Sequence, residues 1–207
     1  MITVENTVLV LLAAGLSRRY GDVGSKLDED FLGKPLGLHV AVALEDMPFK
    51  QRIAVIGGCR IDYGQYDFRV VRNPHVEEGI ASSIRLGVEC ARETDAEAVM
   101  FALADMPRVT ASHIYRMFDV ADSPNCVVAS SDGKQPKPPA IFGRGRFDYL
   151  MTLQGDGGGR DLVAAGRHVV TAPAELIDVD TPEELEELRA LVRSPEAVTR
   201  AVARRSD

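Results

Sequence analysis

The residues best equipped for chemistry cluster early in the chain. From Leu11 to Lys26 the sequence reads LLAAGLSRRYGDVGSK: an apolar run that breaks at Gly15 and passes Arg18, Arg19, Gly21 and Gly24 before Lys26. Glycines let a loop fold back with successive N–H groups pointing inward, a concavity suited to anionic oxygens. Arg19 and Lys26 would add the positive charge such a site needs. The spacing fits neither the P-loop nor the dinucleotide fingerprint, so alone it reads equally as a plain Gly-rich turn with surface cations. Asp105 follows the apolar run AVMFAL (98–103) and stands just before Met106-Pro107. A carboxylate there is costly unless it meets water or a cation, and Pro107 cannot extend a strand ladder. Magnesium near substrate phosphates is held by isolated carboxylates of this kind, although the same Asp can simply cap the next turn. Ser82 and Ser83, after Gly79, can offer hydroxyl and N–H groups at a helix start or act as ordinary caps.

The elements that must position these groups are legible from pattern. Thr7–Ala13 (TVLVLLA) is a continuous apolar run, as in a parallel strand covered on both faces. Further strands are expected over Arg52–Ile56, Phe68–Arg72, Ala98–Leu103 and Cys126–Ser130. Helices are expected over Leu36–Leu44, Ser82–Arg92, Ala111–Val120 and Asp161–Ala165. This alternation predicts an α/β fold, a three-layer doubly wound and mostly parallel sheet with ligands beyond the strands' carboxyl ends. In DVDTPEEL (178–185), Thr181 can cap a helix whose first position is Pro182, with Glu183 and Glu184 at its positive end. Asp178 and Asp180 read, on their own, as support for that helix start. Residues 1–193 are expected to form a single domain, with 194–207 a polar, basic tail.

Composition narrows the function classes. The formal net charge is −7, aromatics are 6% and Trp is absent, which argues against nucleic-acid binding. The three cysteines, Cys59, Cys90 and Cys126, are too scattered for a zinc site or disulfide framework and suit a cytoplasmic protein. Nothing reads as a membrane span or signal peptide. His39, His75, His113 and His168 lack metal spacing and read as surface or packed residues.

Five ordered blocks carry a resemblance. Leu12-Ala13-Ala14-Gly15-Leu16-Ser17-Arg18-Arg19-Tyr20-Gly21 resembles the L-A-A-G-x-S-x-R-x-G signature of the MobA-like nucleotidyltransferases, which include the molybdenum cofactor cytidylyl- and guanylyltransferases. Asn73-Pro74 with the segment from Glu78 to Gly87, the Leu103–Pro107 stretch LADMP, Gly155–Arg160 (GDGGGR) and the segment from Asp178 to Leu185 resemble its remaining motifs in order. The resemblance implies a Rossmann-like fold of the nucleotide-diphospho-sugar transferase (GT-A) type and an Mg²⁺-dependent transfer of an NMP unit. It implies nucleotide contacts from Leu12, Ala13, Ala14, Gly15, Arg19, Lys26, Gly79, Ser82 and Ser83, with Arg19, Lys26 and Asp105 as catalytic groups. Asp105 and Asp180 would be the metal ligands, with Asp178 as the alternative to Asp180, and Arg160 would touch the acceptor's phosphate unless it is only a helix-start arginine. The segment 137–142 is loosely similar to an acceptor-side segment. Ala14, where guanylyltransferases commonly have a second Gly, leans toward CTP, with molybdopterin as acceptor and a molybdoenzyme as recipient. The alternatives are a guanylyltransferase or sugar-phosphate nucleotidyltransferase of the same fold, or a non-catalytic chaperone that binds nucleotide and molybdenum cofactor.

Overall fold

The computed structural model describes residues 1–15, 20 and 24–193. Its strands are β1 (Thr7–Ala13), β2 (Asp30–Phe31), β3 (Lys34–Pro35), β4 (Gln51–Ile56), β5 (Arg69–Arg72), β6 (Ala98–Leu103), β7 (Val127–Ser131), β8 (Pro136–Gly143) and β9 (Arg167–Val170). Its helices are α1 (His39–Ala43), α2 (Ile80–Glu93), α3 (Ala111–Phe118), α4 (Phe147–Met151), α5 (Arg160–Ala165) and α6 (Pro182–Arg193). Seven strands form one sheet in the order β5-β4-β1-β6-β8-β7-β9, while β2 and β3 pair as a separate hairpin. β1 runs parallel to β4 and β6, β4 to β5, and β7 to β9. β8 is antiparallel to both neighbours, β6 and β7. The sheet is therefore mostly parallel, as the alternation of strand and helix patterns predicts.

The central strand shows why no polar residue interrupts it. Leu9, Leu11 and Ala13 face a layer containing Val40 and Ala41 of α1 and Ile114 and Met117 of α3. Val8, Val10 and Leu12 face Ile84, Val88 and Ala91 of α2. With both faces covered, alternation gives way to a continuous apolar run. Val8, Leu9, Val10 and Leu11 are all 0% exposed, and each contributes about 1.5–3 kcal/mol of burial. α2 can lie close because Gly87 has no side chain: a Cβ there would sit 2.7 Å from Val10 Cγ1 and 2.9 Å from Phe101 Cε1. A third, smaller cluster joins Tyr20, Phe31 and Leu36 to Val179, Leu185 and Leu188, so α6 packs on residues that follow β1 in the chain.

The expected helix over 36–44 divides into a 3₁₀ turn, Leu36–Leu38, followed by the short α1. The Tyr63 hydroxyl donates to the Gly37 carbonyl at 3.0 Å, drawing that acceptor away from a helical ladder. The strand expected at Cys126–Ser130 is β7, one residue later. β9 and α4 are not expected from the sequence; β9 is a short edge strand whose residues are mostly exposed and lack the alternation that marks a half-buried one. The tail expected over 194–207 lies outside the described residues. No described helix is long and apolar enough to cross a membrane.

Candidate active site

The carboxyl ends of β1 and β6 open together. Their register pairs Leu12 with Leu103, and the Ala104 N–H donates to the Leu12 carbonyl at 3.1 Å. The chain then turns at Met106, whose N–H donates to the Leu103 carbonyl, leaving Asp105 at the mouth beside Gly15. Asp180 reaches the same point from the far end of the chain. The Val179 N–H donates to the Asp105 carbonyl at 3.0 Å and pins the Asp178–Asp180 segment there. A reciprocal cap fixes the next turn: Thr181 Oγ1 accepts from the Glu184 N–H at 3.2 Å, while Glu184 Oε2 accepts from the N–H groups of Asp180 (2.6 Å) and Thr181 (3.0 Å). The sequence-predicted helix start is thus also the device that orients Asp180.

Lys26 lies between the two carboxylates. Its Nζ donates to Asp105 Oδ2 at 2.7 Å and to Asp180 Oδ1 at 2.8 Å, with only 8% of its side chain exposed. One nitrogen thus draws the two carboxylates, distant in sequence, to a single point of the cleft. Burial alone would lower the Lys26 pKa, but the charges and hydrogen bonds of Asp105 and Asp180 outweigh it and hold the ammonium above its ordinary value. Burial raises the Asp105 carboxyl above its ordinary range; Lys26 opposes this, and the carboxylates of Asp178 and Asp180 add to it. Asp105 Oδ1 is buried and has no hydrogen-bond partner among the described residues. An acceptor left bare in that way, beside a second carboxylate, can take a hard cation. The described residues hold no cluster of three or more His, Cys, Asp or Glu placed to bind a metal, so further ligands would have to come from phosphate oxygens or water.

These three residues face a cleft of about 410 Å³. Leu12, Ala14 and Gly15 line one side, and Gly79 and Ser83 line it near the start of α2. Asn73 organises this start: its Nδ2 donates to Ser82 Oγ at 2.8 Å and Ser83 Oγ at 2.9 Å. Ser82 Oγ also lies 2.9 Å from the carbonyl oxygens of both His75 and Gly79. Ser82 therefore ties the loop together rather than lining the cleft, and Ala13, at 2% exposure, lies behind the lining. Arg160, at the first turn of α5, is exposed and is likewise not part of the lining. Asp178 faces Lys137, 3.9 Å away, rather than Lys26. Arg19 lies outside the described residues.

Residues that sequence reasoning passed over complete the wall: Leu27, Val76, Glu77, Ile80, Leu103 and Asp156. Asp156 sits inside the Gly-rich GDGGGR stretch, and Val76-Glu77 link two of the recognised blocks, so position in the motifs was the available signal. Gly79 has φ +82°, and a Cβ on it would lie 2.4 Å from Asp156 Oδ1 and 2.7 Å from the Gly155 carbonyl. The Gly155 carbonyl also accepts the Ala81 N–H at 3.1 Å. The start of α2 and the GDGGGR loop are thus locked face to face across the cleft.

Known proteins share this arrangement of chain. The pattern of the MobA-like NTP transferase domain matches residues 9–171. The purine catabolism protein PucB of Bacillus subtilis (strain 168) is 30% identical over 197 residues, which cover 87% of this chain and 94% of that protein. Among solved structures, the Mycobacterium sp. strain JC1 homolog of Mycobacterium tuberculosis Rv0371c superimposes with a TM-score of 0.76 at 25% identity, over 94% of this chain and 100% of that one. A nucleotidyl transferase from Methanothermobacter thermautotroptrophicus (Mth528) gives 0.75 at 20% identity, over 91% and 98%. Rv0371c in complex with manganese gives 0.68 at 24% identity, over 89% and 98%. The last two carry the fold alone. The matched pattern runs from within β1 to just past β9 and includes Lys26, Asp105 and the start of α2: this chain belongs to the MobA-like NTP transferase domain family.

Proposed function

We propose that this chain is a cytoplasmic, Mg²⁺-dependent nucleotidyltransferase that moves CMP from CTP onto the phosphate of molybdopterin and releases pyrophosphate. The observation that carries the reading is the convergence of Lys26, Asp105 and Asp180, each from a distant part of the sequence, in one cleft. An acceptor phosphate oxygen forms a bond to the α-phosphorus as the bond to the bridging β-phosphate oxygen breaks. That phosphate is already ionised, so no general base is required, and catalysis rests on positioning and charge neutralisation. The carboxylates of Asp105 and Asp180 fit magnesium: both present hard oxygen donors, and Asp105 Oδ1 has no hydrogen-bond partner among the described residues. Bound there, magnesium supplies positive charge to the phosphoryl oxygens; manganese in the related Rv0371c structure agrees with a divalent ion in this role.

The chain's own groups do the rest. Ala14 and Gly15, which line the cleft, would offer backbone to the triphosphate, and Arg19 would add charge to it. Leu12, Val76, Ile80 and Leu103 offer apolar surface to the nucleoside, with Ser83 beside them. Lys26 holds both carboxylates in fixed positions and balances their charge. The preference for CTP rests on Ala14, and that for molybdopterin on the family resemblance. The test is pyrophosphate release from a panel of NTPs with molybdopterin and Mg²⁺, for the wild type and Asp105→Asn. The wild type should turn over with CTP preferred, and the variant should lose at least about 10³-fold, the scale of removing a principal electrostatic contact. Undiminished turnover in Asp105→Asn removes the metal assignment, and nucleotide binding without pyrophosphate from any NTP points instead to a chaperone.

A further inference from the structure

In-line displacement puts the attacking oxygen and the leaving pyrophosphate on opposite sides of the α-phosphorus. Ala14 and Gly15 at the end of β1 and the start of α2 line the cleft beside Asp105. The acceptor must then come over the other flank, across the ends of β6, β8 and β7. An anionic acceptor there meets a wall that includes Asp105, Asp156 and Asp180, and Lys26 is engaged with two of these carboxylates.

A cation stands on that flank. β8 pairs antiparallel with β6, Ala140 opposite Phe101, so its first residues project toward the carboxyl end of β6, where Asp105 lies. Lys137 is the second residue of β8 and pairs with Ser130 near the end of β7. Its Nζ is 3.9 Å from Asp178 Oδ1 and 4.0 Å from Asp132 Oδ2, with 26% of the side chain exposed. Both separations exceed the roughly 2.7–2.9 Å of a charged hydrogen bond. No hydrogen bond to this ammonium exists among the described residues. Asp132 is committed elsewhere: its Oδ1 accepts the N–H groups of Lys134 and Gln135, both at 2.9 Å, and shapes the β7–β8 turn. Asp178 is two residues from Asp180 on the segment pinned to Asp105 by the Val179 N–H. Lys137 is thus oriented by two carboxylates, within hydrogen-bond distance of neither, and beside the segment that carries a metal-ligand candidate.

We infer that Lys137 is the acceptor-side anion contact: it hydrogen-bonds the phosphate monoester of the acceptor and sets which acceptors the cleft takes. The inference rests on the transfer reading above for its place in a reaction, but the contact itself is a binding property. With CTP saturating and molybdopterin varied, Lys137→Gln should raise the acceptor KM about tenfold, the loss of one charged hydrogen bond. The KM for CTP and the thermal midpoint should stay unchanged, and Lys137→Arg should restore most of the loss. An unchanged acceptor KM in Lys137→Gln, or an equal rise in both KM values, overturns the assignment. Calorimetric titration of phenyl phosphate in the presence of CTP reads the contact without turnover. The wild type should bind about fivefold or more tightly than Lys137→Gln, a difference of about 1 kcal/mol. Equal binding, or none by the wild type, overturns the Lys137 assignment. Absence of pyrophosphate from every NTP with the wild type overturns the transfer reading instead.

Discussion

Replacing Gly79 by alanine probes how tightly the cleft is closed between α2 and the GDGGGR loop. Gly79 has φ +82° and ψ −172°, a conformation that a side chain strains by about 2 kcal/mol. The added Cβ would also lie 2.4 Å from Asp156 Oδ1 and 2.7 Å from the Gly155 carbonyl carbon and oxygen. The carboxylate can swing away, but the Gly155 backbone can yield only by giving up its hydrogen bond to the Ala81 N–H. Overpacking of this kind costs about 2 kcal/mol more. The combined loss of roughly 4 kcal/mol lowers the thermal midpoint by roughly 8–16 °C for a chain of this size. Gly155 supplies the internal control. It also has positive φ, +62°, but a Cβ there meets nothing within 4 Å. Gly155→Ala should therefore cost only about 1 kcal/mol, or roughly 2–4 °C. The assay is thermal unfolding of both variants by circular dichroism, with urea melts to convert midpoints to free energies. Similar midpoints for the two variants would refute the claim that contact with Gly155, rather than backbone conformation alone, makes glycine necessary at position 79.

Two titrations follow from buried groups. Asp105's folded-state pKa lies above the ordinary 3.8 because burial outweighs Lys26, so the folded chain holds that proton more tightly than the unfolded one. Ionising it costs stability as pH rises above 3.8, so the stability of the wild type relative to Asp105→Asn should fall in urea melts between about pH 3.5 and neutrality, on top of the offset that loss of the Lys26 contact adds. A difference between the two that is equal at both pH values contradicts this. His113 is fully buried; burial first, and then Arg116, hold its pKa below the ordinary 6.5, against Glu175. Its Nε2 contacts Ser130 Oγ at 2.8 Å, and Arg116 donates to its Nδ1 at 3.3 Å. The stability this neutral ring contributes is present above pH 6.5 and is lost as pH falls below that value toward the folded pKa. Thermal midpoints of the wild type should drop across that window more steeply than those of His113→Asn, which starts lower at neutral pH; parallel profiles would count against the ring as the titrating group.

The sheet was legible wherever burial on both faces writes a continuous apolar run. β1 and β6 have the bounds expected from TVLVLLA and AVMFAL. β9 was not, because an edge strand with exposed Arg167, His168 and Val170 follows no burial rule that a pattern could reveal. The 3₁₀ turn at 36–38 depends on a hydrogen bond from Tyr63, which sequence alone does not place beside Gly37. Within the site, Asp105 was readable as a carboxylate stranded after an apolar strand. Asp180 looked, in isolation, like part of a helix start and joined Asp105 only through the family's motif order. Ser82 matched the motif, yet its hydroxyl is spent on the loop that Asn73 builds. Which of two adjacent serines faces the cleft is set by helix phase, and the sequence fixes phase only after the first helical residue is known. Lys137 was marked only as the first residue of a loosely similar acceptor-side segment; its place beside Asp178 comes from the direction of β8, and strand direction is a property of the pairing.

The contact between Lys26 and Asp180 spans 154 positions of sequence. Besides Lys26 itself, Asp180 is held by the Val179 hydrogen bond to Asp105, by the Thr181–Glu184 cap, and by Leu185 and Leu188 of α6 in a cluster separate from both sheet layers. Competence therefore depends on the docking of α6 as well as on the integrity of the sheet. A preparation can retain its sheet and the helices that cover it while α6 has frayed and the ion pair has opened. For this protein, a folded population and an active population are different quantities, and the undocking of α6 separates them.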